Sequence, residues 1–471
     1  LPATIWKDPY AKFLDPVCKS GVFLREIAAR LMKGLEKKIP DVQERANHVF
    51  QNQIYGIAIT ELTSLLSRRS VYCSKKANGK YSIATIFDDE QGNIKYASLK
   101  HTWHQGKCTY CGASQEVYDR VEGSESYAYQ FIHTDNPEKI FNMKFDVIVG
   151  NPPYQLSDGG HGRSAKPLYH KFIEQSKKIN PRYLIMIIPD RWFAGGKGLD
   201  NFREDMLSDL RFKKLVDFTA ASDVFPGADV PGGICYFLWD RDYKGETEIE
   251  IRNAGSIENS KRFLNEFNTF IRYEKSVFVL RKINKIENEF MNSVVSSRKP
   301  FGLATNDRPS KQGDLVLKYY GGYGKYESSK ISVGKEFIPL WKVITSKTSY
   351  DHAGQPDKLG KRKVFSTLEV LKPFEICTET YIIVGSFDNE KLANNLLEYL
   401  KTKFVRFLVS QLSFSQDITK DRFSFVPLQD FSEQWNDEKL YKKYKLTKDE
   451  IAFIDSMIKP MDIGSNIAED E

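Results

Sequence analysis

Four consecutive residues, Asn151, Pro152, Pro153 and Tyr154, carry the clearest chemical signal in this sequence of 471 residues. They directly follow the apolar run FDVIVG, which is typical of a buried strand. Two prolines in a row fix φ and remove two N–H donors, so the turn is rigid and its carbonyl oxygens face outward. The Asn151 side-chain oxygen and the Pro152 carbonyl can then accept hydrogen bonds from one planar NH₂ group, while Tyr154 stacks on the ring that bears it. The pattern indicates an amine activated by position and electrostatics; the alternative is an ordinary strand-to-loop turn.

A second signal is the stretch FLDPVCKSGVFL, which runs from Phe13 to Leu24. An apolar run ends at Asp15, the small residues Ser20 and Gly21 follow, and a helical pattern starts near Val22. Backbone amides and a helix N-terminus in such a loop face a carboxylate or a phosphate. The Asp15 carboxylate suits the cationic amino group of an amino-acid moiety. The alternative interpretation is a tight turn between strand and helix with a capping serine.

Cys108 and Cys111 form a Cys-x-x-Cys-Gly pattern, whose glycine lets backbone amides point toward the thiolates. Four-coordinate zinc needs two further ligands, for which we predict Cys73 and His101, with His104 as the competitor of His101. Four protein ligands and no open position would make the zinc structural rather than catalytic. The other interpretation is a pair of buried thiols on a hairpin.

The elements that must position these residues alternate apolar runs with helical patterns from Phe13 to Trp239. The predicted strands are AKFLDP, IYGIAI, FDVIVGNPP, YLIMIIP, KKLVDF and GICYFLW, and helices are predicted over 23–35 and 168–179. Runs rich in Ile, Val, Leu and aromatics that end in Gly, Pro or Asp are typical of buried strands. The alternation predicts a doubly wound α/β sheet with ligands at the carboxyl ends of its strands.

The length of the chain favours two or three domains, and the sequence pattern changes along it. We predict a catalytic domain over residues 1–250, interrupted at about 71–127 by a polar insertion that carries three of the six cysteines. A second domain of the α+β type is predicted over 255–430, and a charged helical tail over 431–471.

Charge and hydropathy narrow the classes of protein further. The mean hydropathy is −0.46, no long uncharged apolar run could span a membrane, and no secretion signal opens the sequence, so a cytoplasmic location is expected. The net charge of +7 suits a polyanionic partner. Between Lys261 and Lys363 basic residues outnumber acidic ones about two to one, with tyrosines and glycines interleaved. A solvated face is the alternative interpretation of that stretch.

Together, the FLDPVCKSGVFL and NPPY motifs resemble those of the adenine-specific DNA methyltransferases of restriction–modification systems. The resemblance covers about residues 10–240 and is to the γ-type order, in which the cofactor motif precedes the catalytic motif and the target-recognition domain comes last. It implies a Rossmann-like class I methyltransferase fold, S-adenosylmethionine as methyl donor, and transfer to N6 of a flipped adenine in double-stranded DNA. The basic stretch at 261–363 would then contact DNA, and the nuclease would be a separate partner or a fused segment.

The resemblance also implies a set of cofactor-binding residues. The motif D-P-x-C-G-S-G-x-F-L places Asp15, Pro16, Ser20, Gly21 and Phe23 in that role. Lys19 stands where its first glycine is usual, and Ala58 where the second strand normally ends in an acidic residue for the ribose hydroxyls, so Glu61 is the predicted substitute. Asp135, in FIHTDN, matches the residue that reads the cofactor's adenine amine. Only about a dozen residues precede Asp15, so a shortened first cofactor-lining segment and weak binding are expected.

The catalytic motif of the family matches residues Asn151, Pro152, Pro153 and Tyr154 without departure. Phe225 matches the aromatic residue that packs against the flipped base opposite Tyr154. Other functions stay open at this point. Asn-Pro-Pro-Tyr also serves enzymes that methylate protein glutamine or RNA guanine N2, although about 230 residues beyond the catalytic sheet favour DNA. A non-catalytic DNA-binding specificity subunit is the other alternative, supported by Lys19 and Ala58.

Overall fold

The computed structural model describes residues 1–119, 128–156, 166–196, 198–228, 230–253, 255–351, 356–357, 360–413 and 416–461. These residues group into two compact units. The N-terminal unit comprises Leu1–Phe218 and Ile234–Asn268, and the C-terminal unit comprises Thr219–Gly233 and Thr269–Glu471. The end of the predicted insertion, 120–127, and the end of the predicted tail, 462–471, lie outside the described residues. None of the described helices combines the length and the hydrophobicity that crossing a lipid bilayer requires.

The N-terminal unit contains a large sheet, a small hairpin and helices. Its strands are β1 (Phe13–Cys18), β2 (Ile54–Ala58), β3 (Ile94–Lys95), β4 (Trp103–His104), β5 (Lys107–Cys108), β6 (Val147–Gly150), β7 (Tyr183–Pro189), β8 (Phe212–Phe218), β9 (Ile234–Asp240), β10 (Thr247–Asn253) and β11 (Ser256–Arg262). Its helices are α1 (Val22–Gly34), α2 (Val42–Asn52), α3 (Glu61–Tyr72), α4 (Gln115–Tyr118), α5 (Tyr169–Ile179) and α6 (Asp200–Ser208).

The large sheet has nine strands in the order β11-β10-β8-β9-β7-β6-β1-β2-β3. From β7 through β6, β1 and β2 to β3 every neighbouring pair is parallel. Strand β9 runs antiparallel to both β7 and β8, β8 pairs parallel with β10, and β11 closes the far edge antiparallel to β10. The fold is therefore a mixed α/β structure with a mostly parallel sheet, and the carboxyl ends of β1, β2, β6 and β7 share one edge.

Burial of apolar faces explains why these segments form strands and helices. All six residues of β1 are buried, as expected for a central strand with both faces covered. Helix α1 buries Leu24, Ile27, Ala28 and Leu31, which lie on one face at helical spacing. They pack in one core with Phe13, Val49 and Val147, and each large side chain in it contributes about 1.5–3 kcal/mol by leaving water.

The six predicted strands correspond to β1, β2, β6, β7, β8 and β9, and both predicted helices are present as α1 and α5. The sheet, however, continues beyond Trp239, where the predicted alternation of strands and helices ends, because β10 and β11 extend it to Arg262. Strand β11 was missed because it is polar and largely exposed at the sheet edge. The compact units also differ from the predicted domain limits: residues 255–268 belong to the N-terminal unit, and 219–233 to the C-terminal unit.

The C-terminal unit contains two three-stranded sheets, ordered β13-β12-β16 and β15-β14-β17. Their strands are β12 (Leu315–Tyr319), β13 (Gly322–Tyr326), β14 (Trp341–Ser346), β15 (Leu368–Leu371), β16 (Glu375–Cys377) and β17 (Tyr381–Phe387). The helices are α7 (Glu274–Asn284), α8 (Glu390–Lys401), α9 (Lys403–Ser410), α10 (Asp437–Lys443) and α11 (Lys448–Met457).

A buried lysine holds one end of the second of these sheets. Lys342, in β14, is fully buried, and its Nζ donates to the carbonyl oxygens of Phe337 (3.1 Å), Leu340 (2.6 Å) and Lys372 (3.1 Å). Burial lowers the pKa of Lys342 to about 8. At the Phe337 and Lys372 carbonyls the ammonium group is a second donor beside the Leu340 and Glu375 N–H groups, and it joins the start of β14 to the chain beyond β15.

We expect Lys342→Met to lower the free energy of unfolding by about 2–3 kcal/mol, because several part-buried hydrogen bonds from one charged donor are lost at once. The urea midpoint of unfolding measures the effect. Lys325→Met is the matched control, since Lys325 lies on β13 of the same unit with an exposed side chain. Equal stability of the two variants would contradict this role for Lys342.

Candidate active site

The close approach of β6 to β1 brings the two chemical motifs together. Leu14 of β1 is paired with Ile148 of β6. Gly150, the last residue of β6, lies so near β1 that a Cβ placed on it would be 3.1 Å from Val17 Cγ1 and 3.5 Å from Asp15 Oδ1. Asn151 follows directly, so the proline-containing turn begins beside the Asp15 carboxylate.

Asp15 lies in a distorted part of β1. Asp15 is paired with Gly56 of β2, but Cys18 is paired with Ala58, so β1 bulges between Asp15 and Cys18. Pro16 lies in this bulge, where its missing N–H costs no sheet hydrogen bond. The Val17 backbone N–H donates to Asp15 Oδ1 at 3.0 Å.

The Asp15 carboxylate is electrostatically unusual. The side chain is only 3% exposed, and burial raises the pKa of Asp15 to about 7, although the Val17 hydrogen bond and the positive charge of Lys19 act in the opposite direction. A carboxylate in this setting gains more from a cationic ligand than an exposed carboxylate does, because burial leaves its charge poorly solvated.

The turn after β6 keeps two polar atoms buried without partners. Within the described part of the chain, neither Asn151 Oδ1 nor the Tyr154 hydroxyl has a hydrogen-bond partner. Pro152 is buried, and the Tyr154 carbonyl accepts from the Leu168 N–H at 3.0 Å, which fixes the far end of the turn. Burial, with smaller contributions from Cys235 and Asp190, raises the pKa of Tyr154 above its usual range, so the phenol stays neutral.

The loop between β1 and α1 also has the predicted form. Gly21 has φ +74°, and a Cβ on it would lie 2.9 Å from the Ser67 Cα. Gly21 is the N-cap of α1 with no side-chain cap, so the alternative of a capping serine is not seen. Ser20 is exposed, and Phe23, in the first turn, is 38% exposed despite being apolar. The loop thus presents uncapped backbone amides next to an accessible aromatic ring.

The predicted residues for the ribose and the adenine lie on nearby segments. Ala58 is buried at the end of β2, and Glu61 is the first residue of α3, exposed and preceded by Thr60, which caps the helix through Thr63. Because β2 is parallel to β1, Glu61 and Asp15 belong to the same edge of the sheet. Asp135 is exposed in the loop between Gln130–Ile132 and Pro137–Ile140.

Phe225 lies in the segment 219–233, which groups with the C-terminal unit. It is partly exposed, in a turn in which its carbonyl accepts from the Ala228 N–H at 2.9 Å. Its role opposite Tyr154 remains a prediction.

Sequence reasoning missed Asp190, which directly follows β7 at the shared edge of the sheet. It is fully buried and contributes to the raised pKa values of Tyr154 and Cys235. Its sequence signal is an acidic residue directly after the apolar run YLIMIIP.

A separate group of side chains could hold a metal ion. Ligand atoms of His101, Cys108, Cys111 and His133 all lie within 4.8 Å of one another. The prediction of Cys73 as the fourth ligand is wrong: Cys73 is the exposed C-cap of α3, and His133 takes its place. His104 is exposed on β4 and does not belong to the group. His133 was missed because it lies beyond the predicted insertion, where only the fold brings it near.

Comparisons with known proteins find relatives of this chain. A family model described as Eco57I restriction-modification methylase matches residues 52–225. An adenine-specific methylase of Mycoplasma pneumoniae is 34% identical over 332 residues, which cover 63% of this chain and 79% of that protein.

Solved structures of larger proteins are more distant. The Type IIL restriction-modification enzyme MmeI, solved in complex with DNA, is 11% identical, with a TM-score of 0.48 over 88% of this chain and 61% of its own. The ATP-dependent Type ISP enzyme LlaBIII, solved bound to DNA, gives the same identity and TM-score over 88% of this chain and 36% of its own. The chain thus spans about a third to two thirds of these structures.

The family model that matches residues 52–225 is that of a methylase of the restriction–modification type. The Mycoplasma pneumoniae relative is 34% identical to this chain over 79% of its own length, and the chain therefore belongs to the adenine-specific methylases. The predicted family and enzyme class, a DNA adenine methyltransferase, are confirmed.

We expect Gly21→Ala to destabilise the N-terminal unit, because a side chain there meets the α3 backbone in addition to the unfavourable φ. The expected loss is about 2–3 kcal/mol, measured by urea unfolding. The control is Gly255→Ala, which shares a positive φ of +81° but has nothing within 4 Å of the new Cβ. Losses of the same size would show that the packing against α3 contributes nothing.

Proposed function

We propose that this methylase transfers the methyl group of S-adenosylmethionine to N6 of a flipped adenine at specific sites in double-stranded DNA, as part of a restriction–modification system. The observation that carries the proposal is the buried, unpartnered Asn151 Oδ1 at the start of a proline-fixed turn beside Asp15. A buried acceptor with no partner in the described chain suits a donor on a ligand.

The residues around Asp15 fit the cofactor. The poorly solvated Asp15 carboxylate suits the cationic amino group, and the uncapped N-terminus of α1 suits the carboxylate of the methionine moiety. Phe23 offers apolar contact, Glu61 is placed for the ribose hydroxyls, and Asp135 for the adenine amine. When bound, S-adenosylmethionine would supply an electrophilic methyl group: the amine nitrogen would form the new N–C bond, the electrons of the broken C–S bond would stay on sulfur, and the amine would release one proton to water.

The turn after β6 would hold the target base. Asn151 Oδ1 and the Pro152 carbonyl accept hydrogen bonds from the two N–H groups of the adenine amine, which orients the nitrogen and makes it more nucleophilic. Tyr154 stacks on the base and stays neutral, so it adds no charge to the ring. Phe225 would pack on the opposite face. Extraction of the base from the duplex costs a few kcal/mol, which this stacking and hydrogen bonding offset.

The C-terminal unit supplies candidate DNA contacts. The hairpin of β12 and β13 exposes Tyr320 (66%) and Tyr323 (44%). The exposed Lys325 lies on the same hairpin, and the Arg308 guanidinium lies 5.7 Å from the Tyr319 ring centroid. Cations among aromatic rings suit a phosphate backbone with neighbouring bases. This hairpin lies within the basic stretch 261–363, and a nuclease partner remains part of the proposal.

We also propose that His101, Cys108, Cys111 and His133 bind one Zn²⁺. Two thiolates and two imidazoles are a common tetrahedral zinc set. Because all four positions are protein side chains, this metal would be structural and would take no part in methyl transfer.

Asn151→Ala tests the proposed reaction. We expect it to reduce adenine methylation by about 10²–10³-fold, since one preorganised hydrogen-bond acceptor is lost, while S-adenosylmethionine affinity stays within about twofold. The measurement is transfer of labelled methyl to unmodified genomic DNA, followed by nucleoside analysis. Asn201→Ala, on the exposed face of α6, is the matched control and should behave as wild type.

Methyl-adenine formation by Asn151→Ala at the wild-type rate would refute the role of the turn. Methylation of protein or RNA but not of DNA would favour the alternative substrates. DNA binding by the wild-type chain without any S-adenosylmethionine binding would favour the specificity subunit.

The raised pKa of Asp15 predicts a pH dependence of cofactor binding. The carboxylate must be ionised to pair with the amino group, and in the free enzyme it titrates at about 7. As pH falls from 7 to 5, affinity for S-adenosylmethionine should therefore fall, with a slope that approaches about tenfold per pH unit. The cofactor amine stays protonated throughout this range. Calorimetric titration across this range measures it. Asp15→Asn should bind weakly with little dependence on pH; a pH-independent wild type would contradict the assignment.

A further inference from the structure

The imidazole–thiol group joins two parts of the chain. His101, Cys108 and Cys111 belong to the insertion and its β4–β5 hairpin, in which Trp103 is paired with Cys108. His133 belongs to the segment that leads to Asp135. A metal bound by all four side chains would therefore fasten the hairpin to the start of the Asp135 loop.

The orientation of His133 is already set for a ligand. Its Nδ1 lies 2.8 Å from the Tyr129 carbonyl oxygen, so this nitrogen carries the proton and donates it. Within the described chain its buried Nε2 has no hydrogen-bond partner. A backbone carbonyl that fixes the tautomer and leaves the other nitrogen free is the usual outer-shell arrangement of a zinc-bound histidine.

The hairpin offers matching ligands. The Gly112 N–H donates to the Cys108 carbonyl at 2.9 Å, and Gly112 has φ +75°, which closes the tight turn between the thiols. Cys111 Sγ lies 3.5 Å from His101 Nδ1. With Zn–S near ~2.3 Å and Zn–N near ~2.1 Å, the edge of a tetrahedron between sulfur and nitrogen is about 3.6 Å. The 3.5 Å between Cys111 Sγ and His101 Nδ1 is close to this edge length.

His133 is separated from Asp135 by Thr134 alone, whose carbonyl accepts from Gln175 Nε2 of α5 at 2.6 Å. The loop is thus held by α5 at Thr134, and a metal would hold it at His133. Without the metal, the four ligand side chains lose their shared partner, and the ring contacts of His133 with His101 and Tyr110, whose centroids lie 5.1 and 5.7 Å away, are weaker links between the hairpin and the loop. Restricting the loop beforehand lowers the ordering entropy that a ligand of Asp135 must overcome.

From these contacts we propose that Zn²⁺ at His101, Cys108, Cys111 and His133 increases affinity for S-adenosylmethionine by fixing Asp135. This inference rests on the proposed cofactor role of Asp135. The metal would act by fixing the position of the loop, because its ligand His133 is two residues from Asp135. The metal itself would not contact the cofactor.

The first experiment measures metal binding alone. Purified wild type should contain about one zinc per chain, and Co²⁺ substitution should give the visible spectrum of tetrahedral S₂N₂ coordination. His133→Ala should lose most of the metal, and His133→Cys should restore it, which separates loss of a ligand from misfolding. Cys73→Ser is the control and should bind as wild type. Absence of stoichiometric zinc and of the cobalt spectrum in wild type would overturn the site.

The second experiment reads the coupling by calorimetric titration of S-adenosylmethionine before and after removal of zinc with a chelator. We expect about tenfold weaker binding in the wild type after removal, within the usual range of coupling between sites, and no further loss in Asp135→Ala. Equal loss in both proteins, or no loss in wild type, would overturn the coupling while leaving the proposed reaction intact. Failure of zinc-loaded wild type to bind S-adenosylmethionine would overturn both, and the metal content would still be measured.

Discussion

The parallel pairing of β1 with β6 is the constraint on which the rest of the site depends. Two strands far apart in sequence end side by side, with Gly150 packed against the bulge after Asp15. One residue there is Asp15, with a buried carboxylate, and the other is Asn151, which starts a turn fixed by two prolines. Parallel sheets concentrate strand ends at one edge, and here this brings the Asp15 carboxylate beside the turn that starts at Asn151.

The fold leaves unfavourable features at this edge that a ligand could relieve. Asn151 Oδ1 is buried without a partner in the described chain, and Asp15 is held where its ionised form is poorly solvated. Each costs stability in the free protein, since buried polar groups are normally satisfied. Such costs persist in folded proteins mainly at functional sites, where ligand groups offset them.

The central strands could be predicted from sequence because their signal is local. Runs such as VIVG and YLIMIIP are apolar throughout, since both faces of the sheet are covered. The edge strand β11 carries no such signal. The candidate metal ligands show the same limit. Cys108 and Cys111 are neighbours in sequence and could be paired by spacing, whereas His133 reaches them only through the fold, and spacing wrongly favoured Cys73.

Close backbone packing around Asp15 explains how this edge could work without a titrating catalyst. A side chain at Gly56 would overlap Cys18 Sγ, and one at Gly150 would press on Val17, so the bulge has no room to shift. Gly21 is similarly packed on α3. A rigid frame keeps acceptor atoms in place before the reacting groups arrive, which removes reorganisation from the barrier. Methylation of a planar amine depends on this kind of fixed alignment, because acceptors on its two N–H groups must draw the conjugated lone pair of the nitrogen toward the incoming methyl group.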